Sequence, residues 1–206
     1  VRRASEFGSK AAPYTPFGEL FLSTVRAAAE YHDLGKIDEE NQKVLRGEKR
    51  KSLPVAHWDA GTAHLSGKKS ILPALCIFSH HVGLLSICEE NSKVYPFRVR
   101  TLAKNGEKTV REISDEKLEG YINKHEAEMK PCLNLPEGLS PGSTFLRFAL
   151  SCLVDADHTD TARHYNNLIP EGDIPLDPIR RLALLDKYVA GLSKKNDGKM
   201  LSQRER

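Results

Sequence analysis

Apolar positions in this chain recur mostly at helical spacing, separated by polar or proline-containing stretches. Over 18–31, Phe21, Val25, Ala28 and His32 fall on one stripe, which predicts an amphipathic helix whose inward face ends on a histidine. Gly35 is the expected stop of that helix, with Lys36 close to its negative end. Residues 1–7 read as the tail of a helix, and 9–17, with two prolines, as a loop. A short polar helix is expected over 38–45. Another follows Pro54 and carries His57, Ala60, Gly61 and His64 on one face, its small residues leaving room for a close neighbour. An apolar helix over 71–79 leads directly into His80-His81-Val82-Gly83. Between 91 and 113 the segments 99–102 and 108–110 flank Asn105-Gly106, a hairpin signal. A polar helix over 114–129 and a loop over 131–141 precede the most apolar helix, 143–162. A helix over 178–192 closes the domain, and 193–206 forms a polar tail or linker. The expected fold is therefore all-α: one helical domain over 1–192 with a small β-hairpin insertion.

A length of 206 residues suffices for one domain with a proper core. Charged residues make up 29% of the chain and nearly cancel, leaving a formal net charge of +3. That excludes a strongly polybasic protein, so contact with nucleic acid has to come from local patches. Two patches qualify: the loop 46–51 with Lys49, Arg50 and Lys51, and the hairpin with Arg98, Arg100, Lys104 and Lys108. Runs of this kind are ordinarily just solvated surface. The four cysteines show no close-paired spacing, and Cys76 and Cys152 fall in apolar runs as small buried residues, which suits the cytoplasm. No apolar run approaches ~18 residues and no signal peptide is visible, so no membrane partner is expected. The first residue is Val, so the chain reads as an excised or trimmed domain.

Chemistry concentrates around His32 and Asp33. An imidazole beside a carboxylate at the end of an inward stripe is costly unless something positive lies between them, and a metal ion meets that need. Alone, such a pair is usually a surface hydrogen bond or a cap. Here His57, the tandem His80-His81 and Asp157 complete a set of ligand types along the chain. His57 is a stronger candidate than His64; His125, His158 and His164 read as structural. In the long helix, Leu146, Leu150, Leu153 and Asp157 share one stripe, whereas Arg147, Ser151 and Asp155 share a polar one. Asp157 is thus the expected ligand; Asp155 and Asp160 stand behind the ligands to orient them. Imidazoles and carboxylates without thiolates suit Mn, Fe, Co or Ni, with Mg tolerated. Closed structural zinc is not expected. Such ions activate water and hold a leaving oxygen, and Lys36 can meet a phosphate as a point charge.

On HDLGK at 32–36, AHWDAGTAHL at 56–65, SHHVGL at 79–84 and CLVDADHTDT at 152–161, the chain resembles the HD nuclease domain of the CRISPR type I nuclease-helicase. That family belongs to the HD metallohydrolases. The resemblance implies a compact helical domain holding one or two divalent ions and cleaving single-stranded DNA, internally and from an end. It also implies a fused or separate helicase partner that feeds in the strand displaced by an RNA-guided surveillance complex. Carried over, the metal ligands are His32, Asp33, His57, His80, His81 and Asp157, with Asp33 and Lys36 in catalytic roles. The family pattern begins with a further histidine on an earlier helix. No histidine precedes His32 here, so that ligand is expected upstream of Val1 or lost, and the second ion is expected to bind weakly. Two alternatives remain: an HD phosphohydrolase acting on nucleotides or small phosphate esters, and a degenerate HD fold serving as an interaction module.

Overall fold

The stripe of Phe21, Val25 and Ala28 is the buried face of α2 (Gly18–Tyr31), the helix around which the others gather. The computed structural model describes residues 1–47, 52–104, 106–131, 142–167 and 178–195. Among them helices dominate and no strand occurs, so the fold is all-α. In chain order the remaining helices are α1 (Arg2–Ala11), α3 (Glu39–Leu45), α4 (Trp58–Gly67), α5 (Ile71–Val82), α6 (Ile87–Asn91), α7 (Val110–Met129), α8 (Ser143–His164) and α9 (Pro178–Lys195). Short 3-10 turns lie at Ala12–Tyr14 and Leu34–Ile37. No described helix is long and apolar enough to cross a membrane. The chain divides into two compact units, Val1–Asn167 and Leu168–Arg206. α9, the helix expected over 178–192, lies in the second unit.

Within the first unit α2 packs against α1, α5 and α8, and α4 lies along α5. Phe21, Val25, Leu65, Cys76, Ile77, Ala149 and Leu153 form the shared core. Cys76 and Cys152 are buried as expected, and burial pushes their thiols up to about 12 and about 11. Residues 9–11, expected in a loop, continue α1: Gly8 lets the helix lie close to Leu22 and Val25, and Arg3 Nε donates to Asp160 Oδ1 at 2.9 Å. Pro13 falls in the first turn of the following 3-10 segment, where its missing N–H is harmless.

Two glycines set how closely elements approach. A Cβ on Gly61 would stand 2.0 Å from the Tyr31 carbonyl oxygen, so α4 crosses the end of α2 only because residue 61 has none. Gly35 was expected to end α2. It is instead a close-approach residue: its Cβ would meet the His57 oxygen at 2.6 Å, and its N–H donates to that oxygen at 2.9 Å. α2 ends without it, on a bond from His32 N–H to Ala28 O.

Around Asn105-Gly106 the expected hairpin shrinks to one antiparallel bridge, Leu102 with Thr109; Asn105 itself lies outside the described residues. The second strand is pre-empted by a capping box, in which Thr109 and Glu112 bond each other's backbone and start α7 at Val110. The segment is held to the body by charge. Arg98 donates three bonds to Asp59, which is 0% exposed, and a further one to Asp115; Val99 N–H also donates to Asp59. Arg100 pairs with buried Glu90 and with the Tyr95 carbonyl, and Lys104 donates to Ser52 Oγ. Expected as DNA contacts, Arg98 and Arg100 are thus engaged internally. Removing one partner of a buried ion pair strands the other. Arg98→Ala should cost about 3 kcal/mol in urea unfolding.

Candidate metal centre

The six expected ligands come from four separate places and meet at one end of α2. His32 is the C-cap of α2 and Asp33 begins the turn after it. His57 is the N-cap of α4 rather than a residue on its face. The helix carrying the tandem histidines does not stop at Ser79: α5 runs through Val82 and ends at Gly83, with φ +78. His80 and His81 therefore occupy its last turn, with ring centroids 4.0 Å apart. Asp157 projects from α8 and is partly buried, whereas Asp155 is exposed. Of the two aspartates, Asp157 is the one that lies inward, as its apolar stripe requires.

The side chains sort into two triads, each with ligand atoms close enough to share an ion: His32, Asp33 and Asp157; and His57, His80 and His81. Asp33 lies between them. Its Oδ2 is 3.3 Å from His32 Nε2 and 2.7 Å from Lys36 Nζ, and its Oδ1 is 3.5 Å from His57 Nε2. His32 Nε2 is 3.8 Å from Asp157 Oδ1. His32 and His80 use the same local device. Each donates Nδ1–H to the carbonyl three residues back, Ala29 and Ile77, which fixes the tautomer and turns the Nε2 lone pair outward.

Electrostatics prepare the groups for a cation. Burial would lift Asp33, but the charges of His32 and Lys36 hold it below the ordinary carboxylate range. The neighbouring His32 takes Asp157 down to about 2 despite burial. Burial pushes His57 down to about 3, against the pull of Asp33, and His80 down to about 4, against its bond to Ile77. Both are neutral at physiological pH, as ligands must be. His32 differs: burial lowers it, yet Asp157 and Asp33 together raise it.

Two buried acceptors tell whether the set fits a metal. Asp33 Oδ1 and His80 Nε2 are buried and reach no hydrogen-bond partner. Leaving a buried acceptor unsatisfied costs roughly 1–3 kcal/mol, and these two belong to different triads, so a divalent cation at each would satisfy them. His57 Nε2 and His81 Nε2 are 2.8 Å apart, near the about 3 Å expected of two nitrogens bound at right angles to one ion. The residues present fit divalent ions.

The comparisons add no relative. Set against known protein families, curated proteins and solved structures, the chain has no match.

Other expected site residues lie apart. Asp155 accepts at its backbone carbonyl from Thr159 Oγ1 and Asp160 pairs with Arg3; among the described residues neither carboxylate bonds to one of the six. Lys49, Arg50 and Lys51 lie outside the described residues. His64 is buried against Tyr31, with ring centroids 4.7 Å apart, and His125 packs on Tyr31 at 5.1 Å. A cavity of about 400 Å³ lined by Tyr14, Phe17, Phe21, Phe145 and Phe148 sits at the start of α2 and α8, away from the cluster.

Sequence reading missed two residues that build the centre. Asn41 is fully buried; its Nδ2 donates to Gly35 O and Val55 O, both at 2.9 Å, and its Oδ1 accepts from Val55 N–H. It ties the turn after His32 to the strand of chain leading to His57. Nothing in a short polar helix marks which polar residue faces inward, so no local signal exists for it. The other is Trp58, which packs on His57 and His81.

Proposed function

We propose that the chain is an HD-type, metal-dependent nuclease that cleaves single-stranded DNA, working in CRISPR type I interference with a helicase and an RNA-guided surveillance complex. The observation that carries the reading is the convergence of all six motif residues into two adjoining triads around Asp33. His32, Asp33 and Asp157 would hold one ion, and His57, His80 and His81 a second, drawn from Mn, Fe, Co, Ni or Mg. When bound, such ions supply hydroxide at neutral pH and charge to steady the leaving oxygen. The chain's own residues do the rest. Asp33 presents one oxygen toward each triad, and Lys36 places an ammonium 2.7 Å from it, in reach of a non-bridging phosphate oxygen. Asp33 is 35% exposed, Lys36 34%, and His81 lies at the surface. An open cluster of this kind favours an extended strand over a nucleotide enclosed in a pocket. The HD fold belongs to the same reading.

Turnover tests it. With Mn or Ni, the protein should nick circular single-stranded DNA and leave free nucleotides intact, and a chelator should stop it. Asp157→Asn should remove most activity. Asp155→Asn should stay near wild type, since its side chain touches no ligand. Hydrolysis of nucleotides in place of DNA would support the phosphohydrolase alternative. Absence of both turnover and metal binding would leave an interaction module.

A further inference from the structure

Four imidazoles face the cluster, and the chain fastens them in two different ways. His32 and His80 are each tied by Nδ1–H to a backbone carbonyl of their own helix. His57 and His81 have no such tie among the described residues; their only side-chain hydrogen bond is the one between their own Nε2 atoms. Both instead lie against Trp58. Its indole stacks on the His81 ring with centroids 4.3 Å apart and 36° between planes, and it meets His57 edge-on at 5.3 Å and 90°.

The stack has consequences for a ligand in the position of His81. A surface imidazole in the last turn of a helix samples several rotamers, and immobilising it on a metal costs side-chain entropy. A flat ring laid across its face removes that freedom in advance. Trp58 is itself well placed to do so. It is the first residue of α4, directly after His57, whose carbonyl is held by Gly35 N–H at 2.9 Å.

We infer that Trp58 is the positioning residue of the His57–His80–His81 triad, doing by ring packing what the Ala29 and Ile77 carbonyls do by hydrogen bonding for His32 and His80. The inference rests on the metal reading above. The indole Nε1 is buried with no acceptor among the described residues, so the ring face rather than the N–H carries the role. Phenylalanine should therefore serve in its place, and leucine, of apolar bulk but without a flat face, should not.

Two measurements on the full chain test this, with circular dichroism and urea midpoints confirming that Trp58→Phe and Trp58→Leu are folded. In the metal-free protein, NMR should find the His81 ring protons shifted upfield by the indole in wild type, less so in Trp58→Phe, and not in Trp58→Leu. In calorimetric titration with Mn or Ni, Trp58→Leu should weaken one ion by roughly 10- to 100-fold, as losing an orienting partner does, and leave the other unchanged. Trp58→Phe should bind both nearly as wild type does. Quenching of the single tryptophan by Ni offers a direct report of the affected ion. An unshifted His81 ring in wild type, equal weakening of both ions in Trp58→Leu, unchanged binding in it, or a Phe variant as impaired as Leu would each overturn the role. A wild-type protein that shows the ring shift but binds no divalent ion would instead remove the metal reading, and this role with it.

Discussion

Asp33→Ala should abolish divalent-metal binding at both triads and lower DNA cleavage by more than ~100-fold, beyond the range seen when only an outer partner of a ligand is lost. The expectation follows from where its two oxygens point. Oδ2 faces His32 and Lys36, and Oδ1 faces His57 and is buried without a partner. Removing the carboxylate therefore takes a ligand from the first triad and the nearest negative charge from the second. It also takes from Lys36 its partner at 2.7 Å and leaves His32 with Asp157 alone. Helical content should not change, because Asp33 follows α2 rather than lying within it and its side chain faces His32, Lys36 and His57. Calorimetric titration with Mn or Ni, beside cleavage of circular single-stranded DNA, reads both effects. A variant that still binds two ions would mean that the triads are independent and that Asp33 joins neither.

Gly61→Ala should destabilise the fold by more than about 3 kcal/mol, at or above the top of the ordinary range for an overfilled core. The added methyl would sit 2.0 Å from the Tyr31 carbonyl oxygen and 3.3 Å from Ile77 Cδ1. The first of these is backbone and cannot swing aside, so α4 has to retreat from the end of α2. That end carries His32 and Asp33, and the start of α4 carries His57 and Trp58. Metal binding should fall even in the molecules that fold. Gly67→Ala is the matched control: it ends the same helix with open space around its Cβ and should be neutral or slightly stabilising. Urea unfolding of the two variants distinguishes them. Equal stability would show that the helices do not cross as closely as the structure has them.

Local periodicity made much of this protein legible from its residues alone. The 3.6-residue repeat places Phe21, Val25 and Ala28 inward and carries that stripe to His32, and it separates Asp157 from Asp155 two positions away. These are properties of a single helix, decided by geometry that each segment carries with it. The helical class follows for the same reason, as does the burial of Cys76 and Cys152 within apolar runs.

What periodicity cannot express is which distant surface a side chain meets. Arg98 and Arg100 look like free surface charge, yet they are held by Asp59 and Glu90. Gly35 looks like a helix stop, yet it is a gap through which the His57 backbone passes. Thr109 looks like part of a strand, yet together with Glu112 it begins a helix. Asn41 and Trp58 carry no mark at all in the sequence, although one joins the segments that bear His32 and His57, and the other braces His57 and His81. The order of histidines and aspartates along the chain singled out six residues that the fold brings together. Their division into two triads, with Asp33 between, depends on the end of α2, the start of α4, the last turn of α5 and an interior turn of α8 meeting, and only the packing of those helices decides it.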